Sequence, residues 1–129
     1  MKLLILSILA FLFGSCQSTS QDISVIPVDE FAQYITQPDV QLLDVRTPEE
    51  FEAGHIEGAV MIDYRTDPDG FVEKVEAQLK KDQPVALYCR SGKRSHSAAE
   101  LLLKAGFTQL TELEGGILAW QEAGKNVVK

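Results

Sequence analysis

The residue with the most chemistry to offer is Cys89, in the segment Cys89-Arg90-Ser91-Gly92-Lys93-Arg94-Ser95. It directly follows the apolar run Val85-Ala86-Leu87-Tyr88 and precedes a stretch, Ser97 to Gly106, whose apolar residues have helical spacing. The spacing therefore puts a thiol where a buried strand gives way to a helix. The short loop there carries one glycine and three cations, Arg90, Lys93 and Arg94. Backbone N–H groups at a helix start and nearby guanidinium or ammonium groups both favour an anion. Such surroundings lower a thiol pKa from about 8.5 toward about 3.5–7.5. Gly92 would let the loop curl so that successive N–H groups point inward as an anion nest. A thiolate in such a nest is a nucleophile suited to an anionic, electrophilic substrate. The plainer reading, an inert buried thiol, is the common fate of a free cysteine; the polar, cationic loop argues against it here.

Arg94 closes the loop, and Asp44, at the end of a neighbouring strand, is its expected salt-bridge partner and loop support. Arg90 and Lys93 either attract an anion or solvate the loop rim. His96 lies one helical turn past the loop, where it could form a Cys–His dyad with Cys89; as a metal pair the two do not suffice. His55 reads as a satisfied core or turn histidine. Glu49, Glu50 and Glu52 read as a solvated helix face, and Gly115-Gly116 with Trp120 as the packing of a last helix onto the sheet.

The elements that must position these groups alternate. Strands are expected at Ile23–Ile26, Val40–Val45, Ala59–Ile62, Val85–Tyr88 and Thr108–Leu113. Between them, Pro27 opens a helix with Phe31 and Ile35 on one face. Thr47-Pro48-Glu49-Glu50 supplies an N-cap, a proline at the first helical position and a capping-box glutamate. Asp67-Pro68-Asp69-Gly70 reads as a loop before the stripe Val72, Val75, Leu79. Ala98, Leu101, Leu102 and Ala105 mark a helix capped by Gly106, and Ile117 and Trp120 mark the last one. This pattern predicts an α/β fold with a mostly parallel sheet of about five strands covered on both faces. Such sheets carry their sites beyond the strand carboxyl ends, which is where Asp44, Cys89 and Glu114 fall.

The chain has 129 residues, enough for one core, and a formal net charge of −7. Without Lys2 it carries 11 basic and 19 acidic side chains, a balance of −8 that argues against nucleic acid or an anionic membrane surface as partner. The cationic loop runs against that global charge. At the N-terminus, Lys2 precedes a predominantly apolar run from Leu3 to Phe13, too short to span a bilayer comfortably and typical of a secretory signal. Ordinary signal peptidase wants small residues first and third before its cut, and a cut before Cys16 would put Phe13 third. Gly14-Ser15-Cys16 instead resembles a bacterial lipobox, which implies a signal peptide over 1–15, lipidation of Cys16, a polar tether over 16–22 and an exported protein held by lipid on the periplasmic side of a membrane; the alternatives are a simple signal peptide cut nearby and an uncleaved anchor. With Cys16 acylated, Cys89 has no disulfide partner in the chain.

Three ordered motifs carry a family resemblance. The Cys89 to Arg94 loop resembles the six-position active-site loop of rhodaneses. Leu42-Leu43-Asp44-Val45-Arg46-Thr47-Pro48-Glu49-Glu50-Phe51-Glu52-Ala53-Gly54-His55-Ile56-Glu57-Gly58-Ala59 and Leu113-Glu114-Gly115-Gly116-Ile117-Leu118-Ala119-Trp120 match the same family. The resemblance implies a rhodanese-like domain over 23–129 and a sulfurtransferase. Its Cys89 would become a persulfide, and Arg90, Ser91, Gly92, Lys93 and Arg94 would form the substrate-binding loop. It implies a small anionic sulfur donor such as thiosulfate, an acceptor that is a thiol, cyanide or a protein, and no metal or organic cofactor. It also places the residue corresponding to Asp44 beside the loop. Two other classes stand beside it: a non-catalytic or redox-sensing binding module, and a Cys-dependent phosphatase. The related phosphatases have one more residue between Cys and Arg than the four found here.

Overall fold

A computed structural model describes residues 22–129, so the expected signal segment and Cys16 lie outside the described residues. Among the described residues ten elements alternate: β1 (Ile23–Ile26), α1 (Val28–Tyr34), β2 (Gln41–Asp44), α2 (Pro48–Ala53), β3 (Val60–Met61), α3 (Pro68–Gln78), β4 (Val85–Tyr88), α4 (Lys93–Lys104), β5 (Leu110–Leu113) and α5 (Gly116–Glu122). The strands form one sheet in the order β1-β5-β4-β2-β3, and every pairing is parallel. The expected α/β architecture with five strands is therefore the observed one.

The central strands are apolar because both of their faces are covered. All four residues of β4 and of β5 are buried. Leu43, Val45, Val85 and Leu87 pack with Phe71 and Val75 of α3 and Ala98, Ala99 and Leu102 of α4. On the opposite face Leu42, Ala86, Tyr88 and Leu113 pack with Phe31 of α1 and with Ile117 and Trp120 of α5. The two-residue alternation of strand side chains divides these sets. Among the described residues no helix is long and apolar enough to cross a membrane.

Two helix starts differ from the sequence expectation. Asp67 is not in a loop but is the N-cap of α3, its side chain accepting from the Gly70 N–H at 3.0 Å, so Pro68 to Gly70 are already helical. The helix after Cys89 begins at Lys93 rather than Ser97, with Gly92 as its left-handed N-cap at φ 107°. Its first turn is polar because it faces the loop, so apolar periodicity starts only a turn later. Lys93 and Arg94 thus sit on a helix, which fixes their directions relative to Cys89. The Thr47 capping box forms as expected: Thr47 Oγ1 accepts from Glu50 N and the Glu50 carboxylate accepts from Thr47 N.

Candidate active site

Cys89 follows β4 at the carboxyl edge of the sheet and is only 1% exposed. The Gly92 N–H donates to its Sγ at 3.0 Å. A backbone amide aimed at this position can donate to an anion held there, and such a bond is charge-assisted when its acceptor is ionised. The geometry needs the positive φ of Gly92, a conformation that costs a residue with a Cβ.

The loop is clamped from the far side by the Gly115-Gly116 pair. Ile117 N donates to Cys89 O at 2.9 Å and Leu118 N to Arg90 O at 3.2 Å, so the first amides of α5 satisfy the loop carbonyls. A Cβ on Gly116 would fall 2.6 Å from Cys89 O, and Gly116 has φ 63°. The glycine pair therefore does more than pack the last helix: it lets α5 approach the backbone of the Cys89 loop. Trp120 anchors that helix, edge-on to Phe31 and donating from Nε1 to Asn126 O at 2.9 Å.

The expected Asp44–Arg94 bridge is not present. Asp44 is fully buried and bound by Arg46, whose Nη2 donates to Oδ2 at 2.7 Å and whose backbone N–H donates to Oδ1 at 2.9 Å. Arg46 Nη2 also donates to Gly54 O at 2.8 Å. The reason is strand alternation. Asp44 stands in register with Tyr88 and shares the face of Leu42, whereas α4 and its Arg94 cover the other face. Arg46, just past the end of β2, folds back so that its backbone N–H and guanidinium both reach the Asp44 carboxylate, which makes it the partner at hand. Asp44 therefore belongs to a buried cluster with Arg46 and Tyr88. Its ion pair stacks on the Tyr88 ring, with the Arg46 guanidinium carbon 5.5 Å from the centroid, and Tyr88 immediately precedes Cys89. Burial first, and then the Asp44 charge, push the Tyr88 phenol well above its usual range, so it stays neutral and accepts from Ile56 N at 3.0 Å.

Arg94 instead makes a two-pronged pair with Glu50 at 2.7 and 2.8 Å, each side chain about a fifth to a quarter exposed. Glu50 is thus not part of a solvated face: it caps α2 and holds Arg94 at the end of the Cys89 loop. The bond to Arg94, reinforced by the Thr47 N–H, outweighs partial burial and holds its carboxyl down to about 2. The same bond raises the Arg94 guanidinium further, with a smaller contribution from Cys89. Arg94 therefore stays charged within electrostatic reach of the sulfur. Arg90 lines a cleft of about 200 Å³ with Arg46, Glu50, Gly54 and Leu118, which abuts the loop. A larger cavity of about 370 Å³, bordered by Ser24, Glu30, Tyr34 and Thr111, belongs to the β1–α1 edge.

His96 does not form a dyad with Cys89. Its Nδ1 lies 2.8 Å from Glu112 Oε2 and its Nε2 3.2 Å from Glu100 Oε1. Glu112 is 2% exposed, and its other oxygen accepts from Ser95 Oγ at 2.8 Å. Ser95 Oγ in turn lies 3.5 Å from Cys89 Sγ. Sequence reasoning missed both Ser95 and Glu112. The signal was an acid two residues from Leu110 in a strand otherwise suited to burial, which demanded a partner. His55 behaves as the expected turn histidine, stacked on Phe51 at 3.6 Å and with Nδ1 2.9 Å from Phe51 O.

Residues 27–123 match the profile described as "Rhodanese-like domain". The chain is 38% identical over 90 residues to a protein named sulfurtransferase from Allochromatium vinosum, covering 70% of this chain and 79% of that one. It is 40% identical over 90 residues to thiosulfate sulfurtransferase 16, chloroplastic, of Arabidopsis thaliana, covering 64% and 74%. With rhodanese-like domain-containing protein 15 of the same plant it shares 35% over 104 residues, 75% of this chain and 57% of that one, so the chain spans little more than half of that relative. Among solved structures, a rhodanese-related protein from Thermoplasma volcanium superposes with TM-score 0.65 at 29% identity, covering 81% of this chain and 97% of that one.

Proposed function

We propose that this chain, which belongs to the rhodanese-like domain family, moves sulfane sulfur through a persulfide on Cys89, with thiosulfate as the simplest donor. The Cys89 thiolate attacks the outer sulfur of the donor. The sulfur–sulfur bond of thiosulfate breaks and its electron pair leaves with sulfite. An acceptor nucleophile, cyanide or a thiolate, then attacks the outer sulfur of the persulfide. The Sγ–S bond breaks, its electron pair returns to Cys89, and the acceptor leaves as thiocyanate or a persulfide. The Gly92 N–H and the charge of Arg94 stabilise the thiolate and the anionic persulfide in turn. The observation that carries this reading is the amide of Gly92 aimed at Sγ at 3.0 Å in a cationic loop. Thiocyanate formation from thiosulfate and cyanide tests it: wild-type protein should turn over and Cys89→Ser should not. Turnover that survives in a folded Cys89→Ser variant would overturn the reading.

The same proposal places the domain outside the cytoplasm, tethered by a lipidated Cys16. The support is the apolar run ending in Ser15-Cys16. Export in a bacterial host, followed by detergent extraction, tests it: wild type should fractionate with membranes, and Cys16→Ser should remain unprocessed.

A further inference from the structure

We propose that Ser95, Glu112 and His96 form a positioning relay that ties the ionisation of Cys89 to the protonation of His96, favouring the thiolate when the imidazole is charged. The inference rests on Cys89 being the reactive group proposed above.

Ser95 Oγ can donate a single hydrogen, yet it lies 2.8 Å from Glu112 Oε1, 3.1 Å from Gly92 O and 3.5 Å from Cys89 Sγ. When Cys89 is a neutral thiol, it can donate to Ser95 while Ser95 donates to Glu112. When Cys89 is ionised, the thiolate and the Glu112 carboxylate compete for the same serine proton and also repel each other. Glu112 is 2% exposed, so water does little to screen its charge.

His96 decides that competition. Its two ring nitrogens each face a carboxylate, Glu112 at 2.8 Å and Glu100 at 3.2 Å. An imidazolium can donate to both, and a neutral ring to one only. The bond to Glu112 first, and then its charge, hold the ring protonated to a higher pH than is usual for histidine. A charged His96 weakens the claim of Glu112 on the Ser95 proton and offsets its negative field at sulfur. A neutral His96 leaves that field uncompensated. By linkage, ionising Cys89 must favour protonation of His96 by the same factor.

The surrounding elements add little to this circuit. On either side of Glu112 the sheet brings only Val25 of β1 and Leu87 of β4 in register. Helix α4 supplies Glu100 and, in its first turn, Lys93 and Arg94, while α3 packs on it through Phe71 and Val75. On the far side of the sulfur the charged group is Arg94, engaged by Glu50 of α2 and within reach of Asp63, with Arg90 beside it in the loop.

The test is the rate of Cys89 alkylation by iodoacetamide in the full-length protein, followed on the Cys89 peptide by mass spectrometry from about pH 5 to about pH 9. Glu112→Gln keeps the shape and removes the charge, and should speed alkylation below neutrality by roughly tenfold. His96→Gln leaves Glu112 uncompensated and should slow it by roughly threefold, the smaller effect reflecting a half-exposed ring. Opposite signs are the signature of the relay; a merely structural role would move both variants the same way. Curves that overlay wild type, or shift in one direction together, overturn it. If Glu112→Gln does not fold, the half-exposed His96→Gln decides alone, and no slowing refutes the proposal. Sulfur loading from thiosulfate is scored separately. Loading with overlaid curves sinks only the relay; opposite shifts without loading sink only the sulfurtransferase reading.

Discussion

Replacing Glu50 by Gln should loosen the Cys89 loop without dismantling helix α2. Gln at this position can still serve the capping box with Thr47, so the substitution isolates the ion pair with Arg94. The Glu50 carboxyl is held at about 2 against an ordinary 4.5. Unscreened, that displacement corresponds to about 3 kcal/mol. Glu50 is about a quarter exposed and Arg94 about a fifth, so solvent screening reduces the expected contribution to about 1–2 kcal/mol. The carboxyl is depressed in the folded state, so its contribution is fully present above the unfolded value and is lost as pH falls from about 4.5 to about 2. Chemical denaturation at pH 7 should show Glu50→Gln and Arg94→Met each destabilised by at least this amount, with a double-mutant coupling of about 1–2 kcal/mol. Near pH 2 the wild type should lose most of its advantage over Glu50→Gln. A coupling below about 0.3 kcal/mol at pH 7 would refute the assignment of Glu50 as the anchor of Arg94, as would a wild-type advantage undiminished in acid.

Asp44→Ala leaves Arg46 charged and buried, and should cost about 3–5 kcal/mol in urea denaturation, with much of the loss recovered in an Asp44→Leu/Arg46→Met double variant. Gly116→Ala forces a Cβ against Cys89 O at a positive φ, so thiocyanate formation should drop at least tenfold while far-ultraviolet dichroism stays native. With four residues between Cys89 and Arg94 the nest is tight. Aryl phosphate hydrolysis should therefore be negligible beside sulfur transfer, a comparison read directly by nitrophenol release.

The fold was legible because its signals are local. Alternating apolar runs and helical stripes gave the order of elements. Thr47 to Glu50 announced a helix start, and the run before Cys89 placed the thiol at a strand end. The pairings were harder, because they depend on which face each strand residue occupies. Val85 to Tyr88 is apolar throughout, so its pattern carries no facing information, and without it Asp44 could not be assigned to Arg46 rather than Arg94. Glu50 was hidden by doing two jobs, one of them visible as a capping box. Ser95 and Glu112 needed the earlier start of α4, which brings the first turn of that helix over β5. A polar first turn leaves no apolar stripe to read.

Whether Cys89 carries sulfur is measured most directly by intact mass. After incubation with thiosulfate and removal of the excess, the protein should gain the mass of one sulfur atom, located on the Cys89 peptide, and cyanide should return it to its starting mass with one equivalent of thiocyanate released. A protein that gains no sulfur while Cys89 remains reduced and alkylatable would contradict the account, and so would a gain that persists in Cys89→Ser.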